Sequence, residues 1–303
     1  MKTLFLLLAW IPALQTVSQT KESGIVLSKG QNITVRITST QDADMGMGME
    51  MKNFTSSQNN IYVIDVSDKK YTISNTLTGL KVSMDAMGQQ TDYDSDLKKD
   101  SASDIGKSIK NLNVPDTFFV NKYTAEISSN KKESPVSKAD DSNPMAGLFE
   151  SLGDKGADLA LSEAFFIIPA GKKTGDSWSD SSSTKDQKIS NSYRIQTIEK
   201  NNATVIISGN VISNIQTETN GMQLNVAMTT KKNTEVIVDV TSSLVSKRIT
   251  KATIEGTLEM MGQSLPMATR ASLAPASSST SPSSAWPKRQ CWRPACSAGA
   301  LRS

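Results

Sequence analysis

An apolar alternation with period two, sustained over segment after segment, constrains this chain more than any other feature. Val205, Ile207, Gly209 and Val211 alternate with polar residues, as do Met222, Leu224, Val226 and Met228, then Val236, Val238 and Val240, then Ile254, Gly256, Leu258 and Met260. Successive side chains of a strand point to opposite faces, so this pattern predicts strands with one apolar and one wet face. Tyr62, Ile64 and Val66 extend the pattern into the first half. The connectors are short. Lys200-Asn201-Asn202 has turn chemistry, and Lys231-Lys232-Asn233 reads as a second turn. Strands joined this tightly must be antiparallel, because a parallel pair needs a crossover of a dozen or more residues. The phase slips near Thr78-Gly79, where Tyr71, Ile73 and Leu77 give way to Leu80, Val82 and Met84, which predicts a bulge. The expected fold is mainly β: a long curved antiparallel sheet, a half-barrel or open barrel, with a small helical insert near 144–164. A β sandwich is the alternative.

The 303 residues divide by composition. Residues 1–18 hold Lys2, an apolar run from Leu4 to Leu14 and a small polar stretch, the pattern of a signal peptide. That run is too short to span a bilayer, which takes roughly 20 residues, so no transmembrane segment is expected. The chain is expected to be exported, periplasmic or extracellular, in a bacterium. Residues 19–270 read as a single β-rich domain. Within it, Asp65-Val66 followed by Met87-Gly88-Gln89 parallels Asp239-Val240 followed by Met261-Gly262-Gln263, so two related halves, about 31–127 and 190–270, flank a helical insert at 143–168. Asn143-Pro144 supplies the start of that insert, and Phe165-Phe166-Ile167-Ile168 is its most apolar part. Residues 271–303 are rich in Ser, Ala and Pro and contain both cysteines; they read as a disordered linker or a nonnative tail.

Function is bounded mainly by what is absent. The chain has no histidine, and Cys291 and Cys296 lie in the tail, which removes Ser-His-Asp triads, Cys-His dyads and histidine metal sites from the body. The body carries 28 basic and 30 acidic residues, a poor counterion for phosphate, so no nucleic-acid partner is expected. No catalytic residue and no cofactor are assigned. The acidic run Asp92-Tyr93-Asp94-Ser95-Asp96 is not an EF-hand loop, because Leu97 and Ser103 stand where glycine and glutamate are needed. Met45, Met47, Met49 and Met51 alternate, placing four thioethers on one strand face. Flexible thioethers suit ligands of variable shape. The expected ligand-binding residues are therefore Met45, Met47, Met49, Met51, Phe149, Phe165 and Phe166, and the expected partner is an apolar lipid-like or peptide ligand, or an envelope protein. Two alternatives are a hydrolase using carboxylates among Glu150, Glu163 and Asp176, and a Cu(I) site built from methionines.

Several short motifs carry a resemblance. Ile168-Pro169-Ala170-Gly171 followed by Gly175-Asp176-Ser177-Trp178, the two Met-Gly-Gln elements, and Asp94-Ser95 after the first of them resemble an uncharacterised family of secreted bacterial β proteins, a domain of unknown function. The resemblance spans roughly residues 25–270. It implies architecture and no catalytic site. At the level of fold alone, a curved sheet with a helix on its concave side is similar to the half-barrel of envelope lipoprotein carriers.

Overall fold

The computed structural model describes residues 23–44, 50–86, 88–103, 106–107, 109, 111–129, 159–219, 222–260 and 263–281. Twelve strands form one antiparallel sheet. The first group is β1 Asn32–Asp44, β2 Glu50–Val66, β3 Lys70–Ala86, β4 Gln89–Asp94, β5 Pro115–Asn121 and β6 Ile127–Ser129, with the short helix α1 Lys98–Ser101 after β4. The second is β7 Ser177–Ser183, β8 Gln187–Glu199, β9 Asn202–Thr219, β10 Met222–Asp239, β11 Val245–Met260 and β12 Gln263–Ser281. A further helical stretch, α2, covers 159–164. The strand order is β6-β5-β3-β2-β1-β12-β11-β10-β9-β8-β7, with β4 paired to β3. Each group is a meander, and the β1–β12 pairing joins them into one open sheet, which rules out the sandwich.

The sheet curls strongly at one end. Adjacent residues Ile25 and Val26 donate to Lys122 O, just after β5, and to Ser242 O, between β10 and β11, at 2.7 and 3.0 Å. Five inter-strand steps separate β5 from β11. On a flat sheet that is about 24 Å. One dipeptide can reach both places only if the sheet bends round until its two halves face each other. Ser243 Oγ donates to Gly24 O at 3.0 Å, and the Tyr71 hydroxyl donates to Ile25 O at 2.8 Å and accepts from Leu27 N at 3.0 Å, fixing the segment as a latch.

The core follows from that curl. One cluster joins Ile33, Val35 and Ile37 of β1, Ile61 and Val63 of β2, and Ile73 of β3 to Ala160, Leu161, Ala164 and Phe165 of the insert. A second joins Ile195, Val205, Val236 and Val238, with Phe166 and Ile168 packed against it. The segment 159–168 is thus a plug whose consecutive phenylalanines enter opposite halves. The third cluster, Leu80, Val82, Tyr93 and Ile109, lies on β3 and β4 under the chain after α1.

Several sequence expectations change. On β2 the buried apolar residues are Ile61 and Val63, while Ile64 is 39% exposed. The run Ile61-Tyr62-Val63-Ile64 is apolar in both phases, so alternation alone could not choose the face. Lys231-Lys232-Asn233 is no turn: β10 runs through it unbroken from Met222 to Asp239. The expected bulge is present, because Gln58 pairs Gly79 while Asn59 pairs Leu77, leaving Thr78 extra. The stretch 271–303 does not start a disordered tail at 271. Ala271–Ser281 continue β12, and β1 pairs them from Asn32 opposite Ser281 to Gln41 opposite Ala271. Ladder hydrogen bonds need no apolar pattern, which is why composition missed this edge. The signal peptide expected at 1–18, Asn143-Pro144 and residues 282–303 lie outside the described residues. Among the described residues no helix is long and apolar enough to cross a membrane.

Candidate functional site

Directly opposed residues of an antiparallel ladder share a face, so the register assembles rows across the sheet. One inner-face row runs from Tyr93 and Val82 through Thr55, Ser39, Leu273, Thr250 and Thr234 to Ile207, Tyr193 and Trp178. On one side of this row lies the plugged end. On the other the strands continue and the packed clusters stop. Met51, Ile254, Val211 and Ile189 occupy a row further out, beside Ala43, and all four are half-buried. Met228 follows one row beyond, lying against Gly256, where an added Cβ would stand 3.1 Å from Met228 Cγ. None of these residues belongs to the three clusters. The outer face over the same stretch reads Lys251, Thr253, Glu255 and Thr257, all exposed.

Of the expected ligand residues, Met45, Met47, Met49 and Phe149 lie outside the described residues. Met51 stands on the inner face between Ala43 and Ala86. Phe165 is 4% exposed in the plug, bridged to Leu244, and Phe166 packs toward the second half with its ring 6.1 Å from Tyr193. Met51 and the two phenylalanines of the plug do not converge. The plug cluster reaches Ile37 on β1, whereas Met51 pairs Ala43, six residues and about 20 Å further along.

Between plug and open rows sits a polar group that the alternation does not announce. The Tyr193 hydroxyl donates to Asp180 Oδ2 at 2.6 Å, and Asn191 Nδ2 donates to Asp180 Oδ1 at 2.9 Å. Trp178 stacks on Tyr193 at 5.1 Å. Burial pushes the Tyr193 phenol up to about 12, and the hydrogen bond to the Asp180 carboxylate adds to the rise. The loop before β7 sets this up. Asp176 Oδ2 accepts from Lys173 N at 2.9 Å, and Gly175, at φ 90°, sends its N–H to Ile195 O. That accounts physically for the Gly175-Asp176-Ser177-Trp178 motif: it turns the chain into β7 and lays Trp178 on the inner face. Along β10 the side chain of Lys232 crosses Gly209. A Cβ at 209 would stand 2.3 Å from Lys232 Cε and 2.7 Å from Cγ. The sequence signal was Gly209 itself, a missing side chain in an otherwise regular apolar alternation.

The carboxylates have structural partners. Asp94 is paired with Lys81 at 2.9 Å, and its carboxyl is held below the usual range by the Asp96 amide and the Lys81 ammonium. Glu163 pairs with Arg248 at 3.1 Å, with only 13% and 12% of the two side chains exposed, and Asp176 is spent on its own loop. Glu150 lies outside the described residues. Among the described residues no three acidic, histidine or cysteine side chains are placed to hold a metal ion.

Comparison with known proteins gives a family and little else. The model of a family of unknown function, DUF6263, matches residues 68–245. No curated protein matches the sequence. Among solved structures, the chain is similar to one describing lipid–protein interactions in lipovitellin, at 9% identity and TM-score 0.47, covering 86% of this chain and 27% of that one. It is also similar to an outer membrane channel from Pseudomonas putida F1, at 7% identity and TM-score 0.22, covering 86% of this chain and 99% of that one.

Proposed function

This chain belongs to the family of unknown function DUF6263, and from that premise we propose that it is an exported, noncatalytic binding protein that takes an apolar, lipid-like ligand on the inner face of its sheet. One observation carries the reading: apolar side chains of the inner face continue past the plug, at Ile254, Val211, Ile189 and Met228, without joining any packed cluster, while the outer face of β11 alongside them stays polar. A strand that needed burial only at one end would alternate only there. Methionine and branched aliphatics on a curved wall accommodate chains of variable shape. Pro169 and Gly171 follow the plug, so an inserted segment already occupies the same face at the closed end and defines where a ligand would stop.

The test uses adjacent residues on opposite faces. Ile254→Lys charges the inner wall, and Glu255→Lys makes a comparable change on the outer face. An apolar fluorescent probe should bind the wild type and the outer-face variant, and lose at least tenfold in affinity for Ile254→Lys with the fold intact by circular dichroism. Native mass spectrometry of the protein purified from its host should show bound lipid. No probe binding and no copurified ligand would reject the proposal and leave a scaffold role.

A further inference from the structure

Resting on that reading, we propose that the ligand is an amphipathic anion whose acidic head is held by Lys232, so that its apolar chain lies along the rows beyond. Three observations support this. First, the ladder puts Lys232 on the inner face: its partners are Ala252 on β11 and Gly209 on β9, and its neighbours along β10, Thr234 and Thr230, are buried or half-buried. A lysine at such a place must account for its charge. Second, among the described residues no carboxylate forms an ion pair with it. Asp180, the nearest acid in its row, has one oxygen on Tyr193 and the other on Asn191, and Glu163 is taken by Arg248. Third, its direction is built. Gly209 leaves a channel in which the lysine stem lies flat, close enough that any Cβ there would overlap it, and Asn191 Oδ1, 2.8 Å from the same point, is buried without a hydrogen-bond partner.

The chemistry then selects the ligand. A cation wants a carboxylate or phosphate as its partner. The side away from the plug offers Ile254, Val211 and Ile189 to a hydrocarbon chain. A neutral lipid would leave the ammonium without an ionic partner.

A dansyl-labelled undecanoic acid and its methyl ester separate charge from chain. The wild type should bind the acid about tenfold more tightly than the ester. Lys232→Met, which keeps the stem over Gly209, should reduce the acid to the affinity of the ester and leave the ester unchanged. Gly209→Ala, which displaces the stem without altering charge, should weaken the acid selectively and serves if Lys232→Met does not fold. Repeating the pair with a long-chain alkyl phosphate and its alcohol distinguishes carboxylate from phosphate heads. Equal binding of acid and ester by the wild type, or an unchanged acid affinity in Lys232→Met, would overturn the anchor while leaving the carrier reading standing. If neither probe binds the wild type, the carrier reading fails and the anchor with it.

Discussion

Arg248→Met tests whether the plug is clamped to the sheet or merely rests on it. The Arg248 guanidinium lies 3.1 Å from the Glu163 carboxylate and reaches the Ser162 and Phe165 carbonyls at 3.3 and 3.4 Å, at the end of α2. A cation there satisfies carbonyls that the helix itself cannot. Removing it strands a carboxylate that is 13% exposed. Breaking a buried pair costs about 3–5 kcal/mol, and partial access of water brings the expectation to about 3 kcal/mol. For a domain of this size that is a fall in Tm of about 6–12 °C. Glu163 Oε2 and Arg248 Nε are buried without partners among the described residues, so the pair is imperfectly satisfied. Replacing both residues by methionine should therefore return stability to within about 1 kcal/mol of wild type, giving a coupling energy above about 2 kcal/mol. Urea denaturation of the two single variants and the double variant, followed by circular dichroism, measures it. A loss below about 0.5 kcal/mol for Arg248→Met, the behaviour of an exposed pair, would refute the clamp.

Two further outcomes follow from the same structure. Truncation after Arg270 removes the strand that pairs β1 from Asn32 to Gln41 and should lower Tm by many degrees, whereas truncation after Ser281 keeps that ladder; equal melting of the two proteins would show that Ala271–Ser281 contribute nothing. Stability should also fall as pH rises from about 10 towards about 12, because burial, aided by Asp180, raises the Tyr193 phenol to about 12 and the folded state therefore binds a proton that the unfolded chain has already released. Burial holds Tyr71 and Tyr93 up in the same direction, so the Tyr193 share is read as the difference between the wild type and Tyr193→Phe in chemical denaturation at each pH; parallel curves would contradict it.

The fold was legible because period-two alternation and short turns are local, and local signals survive in one sequence. The bulge at Thr78-Gly79 could be read as a change of phase, and Lys200 does sit in a turn, with φ at 55°. Closure of the two meanders could not be read. It depends on β1 meeting β12, more than two hundred residues apart, through a segment of serines and alanines whose composition argues against order. Face assignment failed at Ile61-Tyr62-Val63-Ile64 for a related reason: when both phases are apolar, the neighbour decides, and the neighbours of Ile61 and Val63 are Ile33 and the chain around Gln31.

The candidate site shows the same limit more sharply. Methionine and phenylalanine advertise apolar surface, yet the packed end consumes Phe165 and Phe166 in its own core, and apolar composition cannot separate a residue that fills a cavity from one that lines it. The informative residues were those that break the pattern. Lys232 looked like turn chemistry only because its flanks are Lys231 and Asn233, both exposed on the outer face. Its own side chain falls on the opposite face, against a glycine that interrupts the apolar phase of β9. A charge on the apolar face of one strand and a missing side chain at the directly opposed position of the next form one feature, since each alone would weaken the sheet. The constraint that ties them is register, a property of two strands together, which alternation within either strand does not reveal.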